Sequence, residues 1–160
     1  MSDENSVQKA LNDLKPLAPK GFALAFQIDF TTPTFLFQSY PEDWIRQYSE
    51  NGLVMSDPTV AWCFENEGFV RWSALAPTDT AGVLRQAADH GLQYGLTCSV
   101  LVGTQRSFAS FARDDREFTI EEADALLNAV TELHNQTAKI KASSAKATLA
   151  LQKMSSTFSG

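Results

Sequence analysis

The sequence predicts an α+β fold, an α-β-α sandwich in which a central antiparallel sheet of about five strands carries helices on both faces. Three observations predict it. Apolar, aromatic-rich runs come in two pairs, each joined by a short turn, as β-hairpins are. Segments of helical character, punctuated by Asp, Pro and Gly, lie outside and between these pairs, so the strands do not alternate with helices as βαβ units would. The chain has 160 residues with 44% hydrophobic side chains, which suits one domain around a single core.

In chain order, residues 5–14 read as a short helix stopped by Pro16 and Pro19. Residues 21–30 (GFALAFQIDF) form a mostly buried strand, Thr31-Thr32-Pro33 a turn, and residues 34–39 its hairpin partner. Pro41 opens a helix that Gly52 ends. Asp57-Pro58 starts another, because Asp is a strong N-cap and Pro is favoured just inside, and Gly68 closes it. Residues 69–72 are a short extended piece, and residues 79–90 a helix closed by Gly91. Residues 96–102 and 106–112 form the second hairpin about Gly103-Thr104-Gln105. Thr119 and Glu122 fit a capping box that opens a long C-terminal helix, and residues 155–160 read as a frayed tail.

Composition excludes several classes. The net charge of −6 argues against a chain that grips nucleic acid through its own surface, since phosphate contacts need basic patches. No apolar run is long enough to span a membrane, and the polar N-terminus lacks a secretory core. Cys63 and Cys98, with apolar neighbours, read as buried thiols in a reducing cytoplasm, which makes the expected location cytoplasmic. His90 reads as a helix-end residue and His134 as one on a polar helix face. Neither gathers a third ligand, so no metal is expected. No G-x-S-x-G elbow is present, and the chain is not expected to be an enzyme.

The chemistry concentrates between Tyr40 and Trp72. Trp44 and Tyr48 lie one helical turn apart on one face, Tyr40 just precedes them, Asp57 caps the next helix and Trp72 ends the short strand. Aromatics with polar tips beside a carboxylate suit a ligand with an apolar body and a compact polar head. By composition and periodicity alone, the same aromatics read as core residues, and Asp57 is accounted for as an N-cap.

The stretch YPEDWIRQYSENGLVMSDPTVAWC followed by FVRWSAL resembles the autoinducer-binding domain of LuxR-type quorum-sensing regulators. The family pattern Y-P-x-x-W-x-x-x-Y, then D-P, then Trp falls on Tyr40, Pro41, Trp44, Tyr48, Asp57, Pro58 and Trp72. HGLQYGLTCSV resembles its G-L-x-x-G-[TS] segment at Gly91, Leu92, Gly95 and Thr97. The resemblance implies an N-acyl-homoserine lactone ligand and no cofactor. Trp44 would donate to the lactone carbonyl, Asp57 would accept the ligand amide N–H, and Tyr40 would donate to the acyl carbonyl. Tyr48 would line the acyl chain and Trp72 would pack on the lactone ring, with Thr59 and Ser110 adding polar contacts. Gly95 would be architectural. Leu53, where many relatives carry an aromatic, would widen the pocket. The implied assembly is a homodimer, reaching DNA only through a domain outside this chain. Residues 1–135 are expected to form the sensing domain and residues 136–160 a helical extension and tail, with no helix-turn-helix. The alternative is a standalone domain that modulates full-length regulators by dimerising with them.

Along the C-terminal helix, Leu126, Val130, Leu133, Thr137, Ile140, Ser144, Ala147, Leu151 and Met154 form a stripe with a period near 3.5 residues, the mark of a helix seam. The segment also turns basic at Lys139, Lys141, Lys146 and Lys153. Two readings stay open. In one, the first half packs on the domain's own sheet and the second is solvated. In the other, residues 126–154 form a single helix that extends a dimer interface.

Overall fold

Both hairpins form, and a third pairing joins them into one sheet. The structure, a computed structural model, describes residues 3–159, and the side chains of residues 4–154. Strands β1 (Phe22–Asp29) and β2 (Thr32–Gln38) pair antiparallel, as do β4 (Tyr94–Val102) and β5 (Gln105–Arg113). β1 pairs with β5, and the short β3 (Gly68–Arg71) adds to β4, giving the order β2-β1-β5-β4-β3. The result is a five-stranded antiparallel sheet.

Side-chain alternation gives the sheet two unlike faces. On one, Phe22, Leu24 and Phe26 of β1, Phe35 and Phe37 of β2 and Phe111 of β5 are buried with Leu96 and Cys98 of β4. They pack on Val7 and Leu11 of α1 (Asp3–Leu14) and on Leu126, Val130, Leu133 and Ile140 of α6 (Ile120–Ser143). On the other face, β1 and β5 present Ala23, Ala25, Phe108 and Ser110. Helices α2 (Glu42–Glu50), α3 (Pro58–Glu65) and α5 (Val83–Asp89) supply residues to the wall above these small side chains.

Local signals set most boundaries. Asp57 caps α3, accepting from the Thr59 N–H at 2.8 Å. Thr119 and Glu122 make the reciprocal capping box of α6. The Arg116 guanidinium beside Glu122 holds that carboxyl down at about 2. Asp79 accepts from the Val83 and Leu84 N–H groups at 2.8 and 2.9 Å, so α5 begins four residues later than its punctuation suggests. The first turn is tighter than expected, because Thr32 and Pro33 already pair with Asp29 and Ile28. Gly68 opens β3, and Trp72 begins a one-turn helix, α4 (Trp72–Leu75), instead of ending the strand. The thiols of Cys63 and Cys98 are buried, and burial raises both, Cys98 to about 12.

The C-terminal helix is not continuous. It breaks at Ser144, whose backbone is extended and whose Oγ accepts from the Ala147 N–H at 3.0 Å, capping α7 (Ala145–Ser159). α7 folds back on the edge strand β2. Leu151 is fully buried in the core, Ala147 and Met154 pack against it, and Gln152 Nε2 donates to the Thr34 carbonyl at 2.9 Å. The stripe read as a seam is therefore consumed within the domain. The second half of the segment is not a solvated extension either. The helix runs to Ser159 where a frayed tail was expected, and Gly160 lies outside the described residues.

His134 is only 2% exposed, not on a polar face. It closes a buried polar cluster at the β1 bulge between Ala25 and Ile28, where Gln27 adopts φ 55°. The Gln27 N–H donates to Ser107 Oγ at 3.0 Å, and Ser107 Oγ lies 2.6 Å from His134 Nδ1. The direction of that last bond follows the histidine tautomer. Gln27 Nε2 donates to the His134 carbonyl at 2.8 Å and to Thr137 Oγ1 at 3.0 Å. Burial lowers the imidazole below its ordinary value of 6.5. Below that value the unfolded chain binds a proton that the folded chain refuses, so stability is full above it and is lost as pH falls. The loss should approach about 1.4 kcal/mol per pH unit. Urea denaturation between pH 7.5 and 5.5 should show this slope, and His134→Gln should flatten it.

Candidate functional site

The small side chains on the second sheet face leave a cavity of about 660 Å³ beneath α2, α3 and α5. The register lines up its floor. Ala23 of β1 pairs with Ser110 of β5, which pairs with Thr97 of β4, and Ala25 pairs with Phe108. Alanines at β1 supply depth where larger residues would fill the space. Ile45, Val60, Val83 and Ala87 add apolar wall.

All seven residues singled out from the sequence, Tyr40, Trp44, Tyr48, Asp57, Thr59, Trp72 and Ser110, line this one cavity. Asp57 is the hub of its polar end. Its Oδ1 accepts from the Thr59 N–H at 2.8 Å and from Thr59 Oγ1 at 2.7 Å, and its Oδ2 accepts from the Tyr48 hydroxyl at 2.7 Å. Each carboxylate oxygen offers about two lone-pair sites, so Oδ2 retains room for one more donor. The Thr59 hydroxyl is thus committed to Asp57. Tyr48 is as well, which makes it more than apolar lining. Burial, with the nearby Asp57 charge, pushes the Tyr48 hydroxyl far above its ordinary value, so it stays a donor.

The Tyr40 hydroxyl is buried and, among the described residues, has no hydrogen-bond partner. Burial and the Asp57 charge raise it well above 10, so it too keeps its proton. A buried hydroxyl left unpaired costs about 1–3 kcal/mol, which an acceptor in the cavity would recover. The Trp44 ring is held edge-on to Tyr48, centroids 5.8 Å apart, and against His90 at 5.4 Å. His90 is fixed in turn by Asp43 at 3.1 Å and Gln47 at 2.8 Å. Among the described residues the Trp44 indole N–H meets no acceptor. Leu53 is buried in the same apolar cluster as Trp44 and is not among the residues that line the cavity.

Trp72 is placed by two contacts that its sequence motif does not announce. Its Nε1–H donates to Thr97 Oγ1 at 2.9 Å, and its ring lies flat on Gly95, where a Cβ would overlap Cδ2, Cε2 and Cε3. Thr97 Oγ1 is 2.7 Å from Ser110 Oγ. Thr97, noted in the sequence only as part of the G-L-x-x-G-[TS] segment, thus bridges two cavity-lining side chains, and its cross-strand pairing with Ser110 was the signal that could have placed it there. A second cavity of about 470 Å³ lies beyond Trp72, lined by Asp79, Arg85, Tyr94 and Glu117 among others.

Among the described residues the arrangement is an apolar chamber with two donors that meet no acceptor, on Tyr40 and Trp44, and one carboxylate able to accept. It can hold a small molecule carrying carbonyl oxygens and an N–H or O–H at one end and an apolar body at the other.

The sequence matches the Autoinducer binding domain family over residues 25–137. No curated protein matches it significantly in sequence. Among solved structures, SdiA in complex with octanoyl-rac-glycerol is similar with a TM-score of 0.64 at 19% identity, over 84% of this chain and 60% of that one. Escherichia coli SdiA gives 0.61 at 21%, over 93% of this chain and 63% of that one. CepR2 from Burkholderia cenocepacia, described as an N-acylhomoserine lactone dependent LuxR family transcription factor, gives 0.55 at 18%, over 84% of this chain and 93% of that one. The chain spans less than two thirds of the two SdiA chains. At these identities the likeness shows the fold. Among the described residues, no helix is long and apolar enough to cross a membrane.

Proposed function

The chain belongs to the autoinducer-binding domain family, and from that premise we propose that it senses an N-acyl-homoserine lactone as the regulatory part of a LuxR-type transcription regulator. The observation that carries this reading is the buried, partnerless Tyr40 hydroxyl opening beside Asp57 in an otherwise apolar chamber. An acyl-homoserine lactone supplies what that end lacks. Its amide N–H fits the free lone pair of Asp57 Oδ2. Its two carbonyl oxygens suit the Tyr40 hydroxyl and the Trp44 indole. Its lactone ring matches the flat face of Trp72, and its tail the alanine-floored space. Thr59 and Tyr48 act by holding Asp57.

Two relatives bear on ligand class. CepR2 is described as N-acylhomoserine lactone dependent, and SdiA was solved with octanoyl-rac-glycerol. Both molecules join a polar head to an unbranched acyl chain. Only the lactone carries an amide N–H for Asp57, which favours it here. The groups at the site orient and bind, which supports a sensor over an enzyme.

Trp44 and Trp72, two of the three tryptophans, line the cavity, so intrinsic fluorescence reports on it. Titration with N-octanoyl-homoserine lactone should change the emission saturably, and octanoyl glycerol should do so at least tenfold more weakly. An emission that no acyl-homoserine lactone alters would count against the reading.

A further inference from the structure

We infer that Thr97 is a positioning and specificity-determining residue, which turns the Ser110 hydroxyl into a fixed hydrogen-bond donor aimed at a carbonyl oxygen of the ligand. The inference rests on the reading of this cavity as the signal site. It follows from the direction of three hydrogen bonds. An indole N–H can only donate, so Trp72 Nε1 must give its proton to Thr97 Oγ1, 2.9 Å away. Thr97 is fully buried, and among the described residues the only other partner of its oxygen is Ser110 Oγ at 2.7 Å. Its own proton therefore goes to Ser110, since the reverse would leave a buried hydroxyl proton with no acceptor. Ser110 Oγ then accepts, and its proton is free for the cavity it lines.

The chain Trp72, Thr97, Ser110 thus runs one way and ends in one donor. Two consequences follow. The Trp72 N–H is spent inside the protein, so Trp72 meets a ligand with its ring alone. Ser110 offers its one proton to a carbonyl oxygen placed opposite it, so a ligand that presents a carbonyl there gains a hydrogen bond from it. The β4–β5 register fixes this, because Thr97 and Ser110 are direct cross-strand partners on the cavity face.

A double-mutant cycle on the full chain tests it, read as affinity for N-octanoyl-homoserine lactone. Ser110→Ala should weaken binding roughly fivefold to tenfold, the value of one hydrogen bond. Thr97→Val should lose a similar factor, and Thr97→Ser, which keeps the hydroxyl, should bind within about twofold of the parent. The variant carrying both Thr97→Val and Ser110→Ala should bind no more weakly than Ser110→Ala alone, as groups acting through one another do. If Thr97→Val fails to fold, Thr97→Ala, which also removes the hydroxyl, takes its place in the cycle, with the same lack of multiplication expected. Losses that multiply, or a Thr97→Ser variant as weak as Thr97→Val, overturn the relay while leaving the signal site intact. A parent chain that binds no acyl-homoserine lactone overturns the functional reading and the relay with it.

Discussion

Gly95→Ala is expected to destabilise the fold by about 1–3 kcal/mol and to abolish most ligand affinity. The methyl would overlap three carbons of the Trp72 ring. The ring cannot slide away at low cost, because its Nε1–H is bonded to Thr97 and it is 7% exposed. Backbone strain is not the cause, since Gly95 lies within β4 and has no positive φ. The ring must tilt into the cavity or break its hydrogen bond. Either movement removes the flat surface offered to a ligand and disturbs Ser110 through Thr97. Urea denaturation should show a lower midpoint, and fluorescence titration at least a tenfold loss of affinity. Relief is expected from Gly95→Ala combined with Trp72→Phe, whose smaller ring leaves room for the methyl, with stability recovering more than binding.

Asp57→Asn is expected to leave the fold nearly intact while weakening the lactone about tenfold to a hundredfold. The two effects separate because the carboxylate has two jobs. As the N-cap of α3 it accepts from the Thr59 N–H, and Asn caps almost as well as Asp. As the proposed acceptor of the ligand amide it makes a charge-assisted bond worth roughly 1.5–3 kcal/mol. An amide at this position keeps its oxygen for Thr59 and turns its NH₂ toward Tyr48 and the ligand. Donor then meets donor at both. Tyr48→Phe should cost less, since it removes one neutral donor to Asp57 and keeps the ring. Calorimetric titration of both variants beside their thermal melts checks the order.

Much of the fold was legible because local chemistry and tertiary packing agree. The two hairpins, the Asp57-Pro58 helix start and the Thr119–Glu122 box read the same in sequence and in space, whereas the turns expected at residues 31–33 and 103–105 tighten to two residues each because Thr32, Pro33 and Gln105 already pair. Spacing alone put Trp44 and Tyr48 on one helix face and Asp57 at a helix start; the full set of seven, Thr59 and Ser110 included, came from the family resemblance, and all seven line the cavity. What was not legible depends on partners far along the chain. His134 lies between Glu132 and Asn135 and reads as polar surface. Yet it stands one turn after the buried Val130 and one turn before the buried Thr137, on a face broadened by the Gln27 bulge. The break at Ser144 carries neither Gly nor Pro, and the apolar period runs straight across it, so a kinked pair of helices reads as one rod. The usable signal was Ser144 itself, an N-cap residue. The commitment of the Trp72 N–H to Thr97 depends on the β3–β4 pairing, which single-strand patterns do not reveal.

The central claim is that the cavity holds an acyl-homoserine lactone bound through Asp57, and ligand-dependent melting tests it most directly. At about a hundred times its dissociation constant, a ligand that binds only the folded chain adds about 2.7 kcal/mol. For a domain of this size that raises the midpoint by roughly 5–10 °C. Such a rise is expected with at least one member of a lactone series running from short to long acyl chains, and little or none with Asp57→Asn at the same ligand concentration. A parent chain whose melting is unmoved by every member of the series, or an Asp57→Asn variant stabilised as strongly as the parent, would contradict it.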